Sequence, residues 1–311
     1  MKVIVTGGTG FIGRALSASL AALGHDVVVL SRFAGGTYQG VRHVRAPIVR
    51  EPTADGKASY SFSAEAAREI DGADAVINLA GAGIADGRWT ASRKAVLKES
   101  RLSTTAAIVT AIENATTKPS VLLSGSAIGI YGSDLTATFN ESSPAGRDFL
   151  AELCAEWEQV AMKAEASGCR VVLLRTGLVL AKDGGLLSKL RPPFMFFMGG
   201  PTGSGKQWMS WIHRDDWIAM VTWAMTTASV RGPLNVTAPA PATNTDFSRA
   251  FGAALHRPSL MPLPAFVLRI MFGELADGAL LASQRVIPER ATAGGFQFKY
   301  ADLSEALKGS V

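Results

Sequence analysis

The sequence predicts an α/β fold, a doubly wound parallel Rossmann sheet with a smaller C-terminal α+β lobe. Three observations carry that expectation. Short β-branched runs alternate with longer stretches of helical spacing, a glycine cluster sits at the first strand-to-helix junction, and the alternation degrades after Arg175. Lys2–Thr6 reads as the first buried strand. Phe11, Ile12, Leu16, Leu20 and Leu23 then recur on one helical face, closed by Gly24. Asp26–Leu30 and Ala73–Leu79 are the next two strands. A long helical stretch from Thr90 to Asn114 leads to a strand over Ser120–Ser124, then a helix over Phe149–Ser167 and a strand over Arg170–Arg175. Strands separated by helices of this length call for right-handed crossovers within a parallel sheet.

Beyond Arg175, proline and glycine thicken through Arg191–Gly205. Trp208–Ile212 is strand-like, a helix fits Arg214–Thr227, and Leu234–Ala238 can return to the sheet. Two apolar helical segments and a final turn or helix at Tyr300–Leu307 complete the chain. The expected division is a cofactor-binding domain over residues 1–180, joined by the returning strand near 234–238. Residues 181–233 and 239–311 form a small substrate-binding lobe.

Composition removes several function classes. At 311 residues, 48% hydrophobic and 18% charged, the chain has enough apolar surface to offset its conformational entropy, which excludes a disordered protein. Two cysteines, Cys154 and Cys169, at opposite ends of one expected helix, make neither a disulfide scaffold nor a metal site. The longest apolar stretch, Leu260–Phe272, is interrupted by Pro262, Pro264 and Arg269, and falls short of the ~18–20 residues a bilayer span needs. Met1–Val5 runs straight into glycines without a signal-peptide pattern, so the expectation is a cytoplasmic protein. The net charge of +5 comes from dispersed cations with no block of five, which argues against a nucleic-acid or membrane partner.

The most informative segment is Thr6-Gly7-Gly8-Thr9-Gly10-Phe11-Ile12-Gly13. Its spacing is weak alone, but here it follows a strand and opens a helix. Gly7 permits the turn, Gly10 lets backbone approach a pyrophosphate, and Gly13 lets helix pack on strand. The N–H groups of Phe11 and Ile12 then face the phosphates at the positive end of the helix dipole. At the end of the second strand stand Ser31 and Arg32, while Asp26 lies at its wrong end. A hydroxyl and a guanidinium suit a ribose 2′-phosphate, so NADP(H) is the expected cofactor.

Together with Ile77–Gly81, Ser124–Gly132 and Trp211–Asp216, that loop resembles an extended short-chain dehydrogenase/reductase. Arg88-Trp89, Trp157-Glu158, Arg175-Thr176-Gly177, Gly199-Gly200-Pro201 and Ile287–Arg290 are similar, more narrowly, to its atypical epimerase-family (YfcH-like) branch. The resemblance covers essentially the whole chain. It implies an NADP-binding Rossmann domain, with Leu79 and Ala80 bordering the adenine ribose and the segment through Val179 the nicotinamide half. It also implies a small C-terminal lobe and, by analogy, a homodimer. Where the branch often has an acidic residue, this chain has Ala82.

Extended members move protons with a Tyr and a Lys four residues later, supported by Ser and Asn. None of Tyr38, Tyr60, Tyr131 and Tyr300 has such a Lys, the helix expected to carry the pair reads Phe149-Leu150-Ala151-Glu152-Leu153-Cys154, and the usual Asn position is Arg101. The remaining candidates are Ser126 and Tyr131, with Ser124 at the same strand end. Trp211 and His213 are expected on the substrate side, His213 as an alternative acid, and Arg101 as a phosphate-binding cation in the cofactor crevice. Gly200–Lys206 matches a phosphate-loop spacing, but Gln207 replaces the required hydroxyl and a strand-like run follows. The chain thus reads as an NADP(H)-dependent oxidoreductase or epimerase on a small polar metabolite. Loss of the Tyr, Lys and Asn also fits a catalytically silent NADP(H)-binding sensor.

Overall fold

The computed structural model describes residues 1–33, 35–53 and 58–311. Its centre is an eight-stranded sheet of β1 (Lys2–Thr6), β2 (Asp26–Ser31), β3 (Gly36–Tyr38), β4 (Val41–Arg45), β5 (Ala75–Asn78), β6 (Val121–Ala127), β7 (Arg170–Thr176) and β8 (Gly232–Val236), in the spatial order β8-β7-β6-β5-β1-β2-β4-β3. All neighbours run parallel except β3, which turns back antiparallel on β4. The chain runs outward from β1 through β2 and β4, then returns to β5 on the other side of β1. That reversal opens a crevice beyond the carboxyl ends of β1 and β5, where open α/β sheets bind ligands.

Alternation along the strands makes two buried faces. Val3, Val5, Val27 and Val29 join Leu16 and Leu20 of α1 (Phe11–Ala22) and Trp217, Met220 and Val221 of α6 (Arg214–Thr226). Ile4, Val28 and Val76 face the other way, onto α2 (Ala64–Ile70), α3 (Ala91–Asn114) and the end of α4 (Phe149–Met162). Strands buried on both faces read as continuous apolar runs, which is why β1, β2, β6 and β7 are visible in the sequence.

The segment 181–233, expected wholly in the small lobe, divides. Its α6 packs beside α1 on the sheet, because Trp217, Met220, Val221 and Ala224 form a buried apolar face that joins the sheet core. The expected strand Trp208–Ile212 breaks at Ser210 into Trp208–Met209, antiparallel to Ala242–Thr243, and Trp211–His213, parallel to Leu178–Leu180. The Ser210 hydroxyl donates to Gln284 O and accepts from Val286 N, so it serves a third segment at the break. A helix that proline content had masked, α5 (Gly185–Met195), carries Pro192 and Pro193 near its end and buries Leu187 and Phe194. Cys169 lies beyond the helix, at the buried entry to β7, rather than at the end of α4.

The small lobe is built on α5, α7 (Asn244–Ala254) and the C-terminal helix Leu303–Lys308 around Phe194, Trp211, Phe247, Phe251 and Leu307, while α8 (Ala265–Phe272) packs through Phe272 beside Trp89 and Leu275. The Asp216 carboxylate accepts from the backbone N–H groups of Lys299 and Tyr300, which ties the C-terminal segment to α6. Among the described residues, no helix is long and apolar enough to cross a membrane.

Candidate functional site

The glycine loop is shaped by contacts that exclude any side chain. Gly7 has φ +71°, and a Cβ there would stand 2.5 Å from the Leu79 carbonyl group. A Cβ on Gly13 would collide with the Gly7 carbonyl oxygen and stand 2.8 Å from Gly8 Cα. Gly10 donates to Gly7 O at 3.0 Å and is the N-cap of α1, and no side chain caps that helix. The first-turn N–H groups at Phe11, Ile12 and Gly13 are therefore left open beside a backbone cradle, the arrangement a pyrophosphate requires. The Phe11 ring lies under Gly184 and Gly185 at the start of α5, where a Cβ on Gly184 would collide with it. Ile12 packs on the sheet core.

Across the crevice, Leu79 N donates to Thr6 O and Ala80 N to Asn78 Oδ1. Asn78 is fixed by the Thr6 hydroxyl on one side and by donating to Thr105 Oγ1 on the other. Thr105 Oγ1 also receives Trp157 Nε1 at 2.8 Å. Ser31 and Arg32 are placed at the end of β2, as the sequence suggests. Arg32 is exposed and makes no hydrogen bond or ion pair among the described residues, and Ser31 Oγ accepts from Phe33 N. Beside them a cleft of about 340 Å³ is lined by Thr9, Arg14, Tyr38 and His43. Arg14, a second cation at this end of the crevice, was missed by sequence reasoning; its position one residue after Gly13 was the available signal. Val179 is buried in the strand paired with Trp211–His213.

Ser126 and Tyr131 are brought together, but through residues the sequence did not single out as a pair. Ser126 Oγ donates to Glu158 Oε1 at 2.6 Å. Arg175 holds Glu158 bidentately, Nε to Oε1 at 2.9 Å and Nη2 to Oε2 at 2.8 Å, with both residues buried. Nη1 of Arg175 donates to the Tyr131 hydroxyl, which in turn donates to Asn235 Oδ1 at 2.6 Å. Tyr131 is thus bonded on both sides, and burial raises its pKa against the lowering pull of Arg175 and Asn235, so it is a poor proton donor as it stands. Glu158 and Arg175 lie on α4 and β7, and only packing makes them a pair. Ser124 Oγ is buried without a partner among the described residues. Phe149 and Leu153, on the first turns of α4, join an apolar cluster with Trp89, Leu97 and Leu275. A lysine there would be a buried unpaired charge. Cys154 beside them has its thiol pushed up to about 11 by burial, which leaves it a small inert hydrophobe.

Trp211 and His213, expected on the substrate side, are both buried. Trp211 is fully buried in the small-lobe core with Nε1 donating to Ala240 O, so it offers no surface to a ligand. His213 is the N-cap of α6: Nδ1 accepts from Asp215 N at 3.1 Å, and the ring packs on Tyr300 with centroids 3.9 Å apart. Burial lowers its pKa against the opposing pull of Asp215 and Asp216. The unfolded chain takes up a proton near the ordinary imidazole value of about 6.5, which the folded cap resists. The stability this cap contributes is therefore complete above that value and is lost as pH falls below it. Urea midpoints at about pH 7.5 and 5.5 should fall further in the wild type than in His213→Asn, which caps without titrating. Parallel losses would remove His213 as the source.

Arg101 does lie at the crevice, beyond β5, but turned toward the loop it follows. Its Nη1 donates to Ala82 O at 3.1 Å and Leu97 O at 3.0 Å, and its guanidinium lies 5.2 Å from the Trp157 ring centroid. The Gly200–Lys206 loop closes on itself: Gln207 Nε2 donates to Thr202 O, and a strand follows, not a helix.

Residues 3–236 match the model of the NAD dependent epimerase/dehydratase family, and residues 263–309 match a domain of unknown function, DUF1731. Among known proteins, the chain is 41% identical over 312 residues to the Epimerase family protein SDR39U1 homolog, chloroplastic, of Arabidopsis thaliana, covering 99% of this chain and 86% of that protein. It is 39% identical over 305 residues to the Epimerase family protein ML0860 of Mycobacterium leprae, covering 98% and 94%. The crystal structure of human epimerase family protein SDR39U1 (isoform2) with NADPH superposes with a TM-score of 0.87 at 37% identity, covering 99% of this chain and 98% of that one. With a glycine cradle at the β1–α1 junction, a switch point beside β5 and matches spanning nearly its whole length, the chain belongs to the NAD dependent epimerase/dehydratase family.

Proposed function

We propose that this protein is an NADP(H)-dependent oxidoreductase or epimerase acting on a small polar metabolite, with Ser126 handling the substrate oxygen. The observation that carries the reading is the uncapped first turn of α1 over the Gly7–Gly13 cradle, flanked by Arg32 after the end of β2 and by Arg14 on α1. The human relative crystallised with NADPH supports the same cofactor here. In this reading Gly7, Gly10, Phe11, Ile12 and Gly13 hold the pyrophosphate, Ser31 and Arg32 the 2′-phosphate, Leu79 and Ala80 the adenine ribose, and Val179 the nicotinamide side.

The bound nicotinamide supplies a hydride donor or acceptor. The proton falls to the protein. Because the Ser126 hydroxyl hydrogen points at Glu158, its oxygen lone pairs remain to accept from a substrate hydroxyl. As that proton reaches Ser126 Oγ, the serine passes its own to Glu158 Oε1, and the Arg175 charge stays uncompensated until Glu158 gives the proton up again. Tyr131, bonded by Arg175 and Asn235, positions that pair rather than donating.

A second reading is a cofactor-binding protein without turnover, favoured by the apolar cluster at Phe149 and Leu153. Both are tested by loading the protein with NADPH deuterated on one face or the other and searching a metabolite extract for transferred label. Label that disappears in Ser126→Ala supports the enzyme. No label with NADPH bound favours the second reading. For the cofactor itself, Arg32→Ala should raise the NADPH dissociation constant roughly tenfold or more while leaving that of NADH unchanged. Equal changes for both would remove the 2′-phosphate assignment.

A further inference from the structure

Arg101 is a buried cation without a counter-charge. It is 9% exposed, yet its two hydrogen bonds, both from Nη1, go to backbone carbonyls. Among the described residues no carboxylate pairs with it. Glu158, the buried carboxylate of α4, is already held by Arg175 and Ser126. A second arginine about two turns earlier on α3, Arg93, grips the same loop through Gly83 O and leaves its own Nε buried and unpartnered among the described residues. Burial and the nearby Arg93 both lower the pKa of Arg101, the signature of a charge that the fold alone does not compensate.

The guanidinium is nevertheless fixed in one orientation. The Trp157 ring lies 5.2 Å from it, and Gly81 lies against it, where a Cβ would stand 3.1 Å from Arg101 Cζ. With both bonds made by Nη1, the Nε–Nη2 edge is left over, and neither of these atoms is sealed from solvent. That edge is a planar fork that matches the two oxygens of a carboxylate. It stands beyond β5, at Gly81 and Ala82, whereas the pyrophosphate cradle stands beyond β1 at the start of α1.

We infer that Arg101 is the anion-binding residue of the substrate site, and that the substrate carries a carboxylate which completes the charge of this arginine. This narrows the polar metabolite of the proposed function to a carboxylate-bearing one, and it rests on that reading for where the cofactor lies. A phosphate of the cofactor is the competing source of the anion, and the experiment separates the two.

The NADPH-loaded protein is titrated calorimetrically with oxalate and, separately, with inorganic phosphate, in the wild type, Arg101→Met and Arg101→Lys. The expected result is that oxalate binds the wild type and is weakened roughly tenfold or more in Arg101→Met. Arg101→Lys should lie between them because it keeps the charge and loses the fork. NADPH affinity should stay within about twofold in both variants. An equal loss of NADPH affinity in Arg101→Met would hand the residue to the cofactor and overturn the inference. Oxalate binding that is absent, unaffected by the substitution, or replaced by phosphate binding alone would overturn it as well. Should the Met variant not fold, phenylglyoxal modification of Arg101 in the wild type, followed by peptide mass, gives the same answer. Oxalate should slow it, and absence of protection defeats the inference. Failure of the wild type to bind NADPH defeats the cofactor reading instead, and the oxalate protection of Arg101 is then read without cofactor.

Discussion

Arg175→Met should destabilise the protein by about 3–5 kcal/mol, the usual cost of leaving one member of a buried ion pair alone. The substitution strips Glu158 of both guanidinium bonds and the Tyr131 hydroxyl of its donor, in a place where water cannot replace them. For a chain of this size that corresponds to a fall in melting temperature on the order of 5–10 °C. Replacing Glu158 as well, in Arg175→Met/Glu158→Leu, removes the orphaned charge and should recover most of the loss, because two apolar groups can fill the space of a buried pair. The cycle is read by chemical denaturation of the wild type, the two single variants and the double variant. Additive losses would mean that the pair is energetically independent, against its geometry. The same variants report on chemistry: the Ser126 hydroxyl loses its acceptor in Glu158→Leu, so any hydride transfer should fall even where the double variant is stable.

Gly7→Ala should weaken NADPH binding roughly 100-fold, equivalent to about 2.7 kcal/mol. Two effects act together. The left-handed conformation at φ +71° costs an L side chain about 1 kcal/mol or more, and the new Cβ meets the Leu79 carbonyl group at 2.5 Å. Backbone cannot yield as a flexible side chain does, so the loops after β1 and β5 must separate, and these two loops are the walls of the crevice. Gly24→Ala is the matched control. It has a similar conformation, φ +82°, at the far end of α1, but nothing lies within 4 Å of a Cβ there. It should lower stability by about 1 kcal/mol and leave the NADPH dissociation constant where it was. Equal effects on binding would show that loop strain in general, not the cradle, controls affinity.

Much of the fold was legible because its signals are local. The β1, β2, β6 and β7 strands are apolar runs that sheet burial on both faces requires, and α1 and α6 announce themselves by their spacing. The strands β3 and β4 and the hairpin of Ile48–Pro52 with Ala58–Phe62 were not, since their residues are mostly exposed and polar. The helix α5 was masked by Pro192 and Pro193, which local rules read as a break. At the site, the glycine loop and Ser31-Arg32 could be placed by sequence because backbone approach and strand ends dictate them. Trp211 and His213 could not, since a tryptophan and a histidine look the same in sequence whether they line a pocket or fill a core.

By itself, the sequence determined the layered α/β architecture and the glycine turn at the β1–α1 junction, both properties of contiguous segments and their periodicity. Only the tertiary structure decided which charges compensate one another. Glu158 found Arg175 across 17 residues, Tyr131 found Asn235 across 104, and Arg101 found none among the described residues. Charge pairing in a dry interior depends on distances of a few ångströms between elements remote in the chain, and no local pattern encodes them.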